Sequence, residues 1–72
     1  MNKTVGYRLK ILRKNKGMSQ EEVADFLHMS QSAYARMEAG ENHSWANHLN
    51  EICKVFDISP EELVKVEKVL KE

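Results

Sequence analysis

The stretch Gln20–Gly40, QEEVADFLHMSQSAYARMEAG, holds two short helical patterns separated by a break. Val23, Ala24 and Leu27 fall on one face at helical spacing; beyond His28 and Met29 a second set follows with Ala33, Tyr34 and Met37. Each set predicts a helix that buries one side against the other. The start signals agree. Ser19-Gln20-Glu21-Glu22 is a capping-box pattern, in which the serine oxygen accepts from the N–H of Glu22 and that glutamate reaches back to the N–H of Ser19. Ser30 predicts the cap of the second helix, and Gly40 the left-handed residue that ends it. Ala24 stands where two steeply crossing helices leave room for only a methyl group.

Upstream, a first helix is expected from about Thr4 to Lys16, with Val5, Leu9 and Leu12 as its inner stripe and Gly17 as its stop. Met18 falls at the apolar position preceding the next cap. Downstream, Glu41–His43 read as a loop and Ser44 as a cap. A fourth helix then runs from about Trp45 to Phe56, on which Leu49, Ile52, Cys53 and Phe56 recur at three-to-four spacing. Trp45 reads equally as a core flank or as an aromatic facing a partner. Ser59-Pro60-Glu61-Glu62 is a second capping box with proline at the first helical position, opening a fifth helix towards Lys71. Leu63, Val66 and Leu70 share a face there, with Val69 beside them and Val64 off to the side. That apolar set exceeds what a small four-helix core needs. Residues 60–71 therefore either fold back as a lid or pair with a second copy, and the two-fold dimer is the preferred expectation.

No run of alternating β-branched residues suggests a strand, so the expected fold is all-α, a compact five-helix bundle. Its 72 residues form one domain, 1–72, that buries about 60% of its unfolded surface. Eleven basic and eleven acidic residues cancel to zero, but unevenly. Residues 1–16 hold Lys3, Arg8, Lys10, Arg13, Lys14 and Lys16 and no acid, a local +6; residues 17–72 hold five bases and eleven acids, a local −6. Such a dipolar chain can turn its basic end towards phosphate. Standing alone, the basic run reads better as the solvated face of a helix.

Two helices around a tight turn match the DNA-binding helix-turn-helix, here residues 20–40. More closely, Gln20, Ala24, Met29, Tyr34, Met37, Glu38 and Gly40 stand where the phage-repressor and Cro-like helix-turn-helix family, also called the xenobiotic-response-element family, has its Gln, Ala, three apolar residues, Glu and Gly. The resemblance extends to Arg8-Leu9, Leu12-Arg13 and Gly17-Met18-Ser19 before that unit. After it come Leu49, Ile52, Val55-Phe56, Ile58-Ser59 and Leu63, so that roughly residues 5–64 are covered in one ungapped register. Two departures stand out. His28 replaces the family's usual turn glycine and must adopt a positive φ, which His tolerates better than branched residues do. Glu41, Asn42 and His43 replace residues that are usually basic.

The resemblance implies a lambda-repressor-like fold and a sequence-specific, double-stranded DNA-binding transcriptional regulator whose recognition helix, residues 31–39, enters the major groove. On that helix Gln31, Ser32 and Arg36 are the expected base contacts: glutamine suits adenine N6 and N7, arginine suits guanine O6 and N7, and serine serves either way. Gln20, Ser30, Arg8, Lys14 and Tyr34 are the expected phosphate contacts, Tyr34 through a hydroxyl held at the surface above a buried ring. Arg13 and Glu38 match the pair that forms an inward salt bridge in similar family members. The expected partners are a palindromic operator and a second copy of the chain, in a cytoplasmic, nucleoid-associated protein. The competing role is a protein-binding helix-turn-helix module, antitoxin-like or an adaptor, acting through helices 4 and 5.

Other classes find little support in the residues. His28, His43 and His48 are scattered without metal-binding spacing, and His48 and Cys53, five apart, point in different directions on a helix. With no glycine-rich phosphate cradle or nucleophile–base pair, neither an enzyme nor a cofactor or small-molecule site is expected. Cys53 reads as a small buried hydrophobe. There is no 18-residue apolar run and no export signal, so no membrane role is expected.

Overall fold

Local end signals define the helices one at a time. In the computed structural model, which describes residues 1–64, α1 spans Asn2–Asn15, α2 Gln20–Phe26 and α3 Gln31–Glu38. A 3-10 turn over Ser44–His48 leads into α4, Leu49–Phe56, and α5 occupies Pro60–Val64. The expected continuation of helix 5 to Lys71, with Val66, Val69 and Leu70, lies outside the described residues.

Ser19 caps α2 as expected: its oxygen accepts from the Glu22 N–H at 3.1 Å, and the Glu22 carboxylate accepts from the Ser19 N–H at 2.8 Å. Ser30 caps α3 by accepting from the Ala33 N–H at 3.1 Å. The box at Ser59 and Glu62 closes in the same way. The C-terminal ends also repeat one device. Gly17, His28 and Gly40 have φ of +68°, +59° and +77°. In each case the following N–H turns back to a carbonyl five residues earlier: Met18 to Arg13, Met29 to Ala24 and Glu41 to Arg36. His28 thus performs the glycine's task at the turn of the helix-turn-helix unit.

The start of helix 4 differs from expectation. The sequence suggests a cap at Ser44 and a helix from Trp45; instead Asn42 Oδ1 accepts from both the N–H and the hydroxyl of Ser44, at 3.0 and 2.7 Å. This Asx turn winds the chain into 3-10 geometry, and the α-helix begins only at Leu49. Trp45 is a half-buried core flank whose indole N–H donates to Asn2 Oδ1 at 3.0 Å, tying the loop to the start of α1.

The core gathers one stripe from each helix: Val5 and Leu9, Val23, Ala24 and Leu27, Tyr34 and Met37, Ile52 and Phe56, and Leu63. Burying each large aliphatic side chain contributes about 1.5–3 kcal/mol, and this cluster is the main force holding the helices together. Val64, expected off to the side, packs against it, as do Leu12, Met18 and Leu49. α3 lies between α1 and α2, while α5 packs on α1 and α4. Gly6 lets α1 approach the end of α3: a Cβ there would collide with the Glu38 carbonyl oxygen and come within 2.8 Å of the Met37 carbonyl oxygen. Two flanking helices thus grip α3 by its inner side and leave its outer side to solvent.

Candidate nucleic-acid interface

The amphipathic pattern of α3 sorts its side chains between core and solvent. Tyr34 and Met37 are 0% exposed, whereas Ser30, Gln31, Ser32 and Arg36 are exposed and Ala33 and Ala35 half-exposed. All three expected base contacts therefore lie on the solvent side of the helix, beginning at its first turn. Ser30 keeps its hydroxyl proton free for an outside acceptor, because its oxygen accepts the capping bond.

Behind this surface lies a polar network. Arg13 Nε donates to Glu38 Oε2 at 2.6 Å and Arg13 Nη2 to Glu38 Oε1 at 3.2 Å, a bidentate pair whose side chains are 12% and 5% exposed. Arg13 Nη1 also donates to the Met18 carbonyl at 3.0 Å. The inward salt bridge between α1 and α3 is thus present. Gln20 joins it: its amide nitrogen donates to Glu38 Oε1 at 3.2 Å, and its amide oxygen accepts from Gln31 Nε2 at 3.5 Å. Glu38 therefore orients Gln20 at the start of α2, and Gln20 in turn touches the first residue of α3. One amide proton of Gln20 remains for another acceptor. Burial pushes the Glu38 carboxyl up, but hydrogen bonding, led by Arg13, outweighs it and holds the group below the usual carboxylate range.

Two expected phosphate contacts occupy other roles. The Tyr34 hydroxyl is sealed inside together with its ring, lies beside the Arg13–Glu38 pair, and has no partner in hydrogen-bond geometry. Burial, and then the Glu38 carboxylate, push its proton loss far above the usual range. A group with no solvent access cannot touch a phosphate, so Tyr34 is a core residue. The Arg8 guanidinium donates to the Leu63 carbonyl at 3.0 Å and to that of Glu62 at 3.5 Å. Arg8 and Arg13 are five residues apart, about 140° around the helix, so Arg13 faces α3 while Arg8 faces α5. Arg8, half-exposed, thus ties α1 to α5. Lys14 is exposed, as are Lys3 and Lys10.

Periodicity did not single out Gly6, although a glycine within a helical pattern is a recognised sign of close backbone approach. Nothing in the local sequence announced the Gln20–Glu38 bond, which joins residues 18 apart. Cys53 is half-buried; burial and then the Glu62 charge push its thiol up, away from the thiolate form. Among the described residues, no cluster of His, Cys, Asp and Glu is arranged to hold a metal ion. No helix there is long and apolar enough to cross a membrane.

Comparison with known proteins agrees with this geometry. Residues 9–71 match the family described as "Helix-turn-helix". Over 60 residues the chain is 33% identical to the "SPbeta prophage-derived uncharacterized HTH-type transcriptional regulator YonR" of Bacillus subtilis (strain 168). The match takes in 83% of this chain and 56% of YonR, so the chain spans little more than half the length of that relative. No solved structure gives a significant match. With the family's pattern matched over most of its length, and two capped helices meeting around the His28 turn, the chain belongs to the helix-turn-helix family.

Proposed function

We propose that the chain is a sequence-specific, double-stranded DNA-binding transcriptional regulator that lays α3 in the major groove. The observation that carries this is the division of α3: Tyr34 and Met37 anchor it in the core, while Gln31, Ser32 and Arg36 project into solvent. Gln31 reads adenine through its amide, Arg36 reads guanine through its guanidinium, and Ser32 serves either base. Gln20, held in place by Glu38, and the Ser30 hydroxyl donate to phosphates on either side, and Lys14 adds charge attraction. The resemblance to a transcriptional regulator supports the same reading. Two copies related by a two-fold axis would set their recognition helices about 34 Å apart on a palindromic operator, with residues 60–71 as the pairing element. The site of action is the cytoplasm, at the nucleoid.

Selection of bound duplexes from a random pool, followed by affinity measurements over a range of salt, tests the reading. Log affinity should fall by roughly 0.9 per log unit of salt for each phosphate neutralised. Gln31→Ala or Arg36→Ala should each cost about 1–3 kcal/mol on the selected duplex and much less on a scrambled one. Lys14→Ala should weaken both alike. Equal losses from all three changes on both duplexes would overturn the division between base and phosphate contacts. A protein-binding module would enrich no duplex at all.

A further inference from the structure

Two apolar patches outside the α3 face carry opposite charge around them. On α1, Tyr7 is 65% and Ile11 41% exposed, and together with Lys3, Thr4, Arg8 and Leu12 they line a groove of about 600 Å³. Exposed Lys10, one helical turn on from Tyr7, extends its basic border. On the other patch Phe26, at the end of α2, is 59% exposed. It stands between two hollows, one lined by Met18, Glu22 and Asp25 and the other by Glu51, Lys54 and Val55. Its border is three acids to one base. The two patches share no residue.

We propose that these patches are the two halves of a head-to-tail contact between copies of this chain, Tyr7 and Ile11 of one copy seating against Phe26 of the next. Apolar surface at the centre supplies the burial, and lysines facing Glu22, Asp25 and Glu51 fix the pairing and reject like against like. The opposite charge at the two borders, Lys3 and Lys10 on one and Glu22, Asp25 and Glu51 on the other, gives the contact its direction. Residues 65–72 match the α1 groove less well by charge, having three lysines and two glutamates. A contact between two different patches is heterologous, so it leaves a free patch at each end and extends to a third copy. Because it does not involve α3, it stands or falls apart from the DNA-binding role.

Sedimentation of the full chain over a range of concentrations, without DNA, tests this. Wild type should self-associate at about 50 mM salt and do so far less at about 500 mM, where screening acts within a few ångströms. Phe26→Ser, and separately the double change Tyr7→Ser with Ile11→Ser, should each weaken association at least about tenfold, the loss of roughly 1.4 kcal/mol. Both variants alter exposed side chains, and an unchanged helical circular-dichroism signal verifies folding. Mixed in equal amounts, the two should form a species heavier than either alone, because each keeps the patch that the other lacks. Variants that sediment like wild type overturn the proposal, as does a mixture no heavier than its components.

Discussion

Replacing Glu38 by Gln should show how far the fold rests on one charge. Arg13 would keep its position between α1 and α3 with a side chain only 12% exposed, but its counter-charge would be gone. The amide would also set an N–H₂ group where one of the carboxylate oxygens now accepts from Arg13 or Gln20. Breaking a buried pair from one side costs about 3–5 kcal/mol. The low end, about 3 kcal/mol, applies here, because Arg13 keeps its bond to the Met18 carbonyl and some solvent access. At roughly 0.05–0.15 kcal/mol per residue the whole domain has about 4–11 kcal/mol of stability, so the variant loses a quarter or more of it. Tm should fall by about 12–24 °C.

Urea titration followed by the helical circular-dichroism signal measures this. Acid supplies an internal control. The folded pKa of Glu38 is depressed, so its stabilising contribution is complete above the unfolded value, about 4.3, and is lost as pH falls through the folded value. The gap between wild type and Glu38→Gln should therefore close in acid, once both side chains are neutral. A difference under about 1 kcal/mol at neutral pH, the magnitude of an exposed ion pair, would refute the reasoning. So would a gap that is constant with pH.

Tyr34→Phe should leave stability unchanged or raise it by about 1 kcal/mol, because it removes a buried hydroxyl without a partner. It should also leave duplex affinity unaltered; a drop in affinity on filter binding would mean that the hydroxyl reaches phosphate after all. His28→Gly should raise the unfolding free energy by about 0.5–1 kcal/mol, read as a higher urea midpoint, since the left-handed conformation costs about 1–2 kcal/mol and glycine's extra unfolded-state freedom returns part of that. Unchanged or lower stability would count against strain at that turn. Gly6→Ala should destabilise by at least about 2 kcal/mol by forcing α1 away from the end of α3, despite alanine's better helix propensity, and thermal melts would reveal the opposite sign if the helices can slide apart cheaply.

Helix ends, and with them the helix-turn-helix unit, were legible because their causes are local. A serine three residues before a glutamate, or a residue at positive φ that lets the next N–H reach back, acts within a single turn of chain, so the sequence displays cause and effect together. The spacing of Val23, Ala24, Leu27, Tyr34 and Met37 likewise marks which faces turn inward, and so leaves Gln31, Ser32 and Arg36 outside. Resemblance to family members added the Arg13–Glu38 pair, whose residues lie 25 positions apart. Beyond that, distance between helices decided matters. Whether Tyr34 could lift its hydroxyl to the surface depended on how closely α1 and α3 close over it, and the chain at Gly6 lets them close tightly. Arg8 looked like any exposed cation until α5 brought the Leu63 carbonyl within 3.0 Å. Gln20 gained its anchor only when α3 placed Glu38 beside it. A residue's periodicity gives the direction in which it points; what meets it there is fixed by the packing of elements remote in sequence.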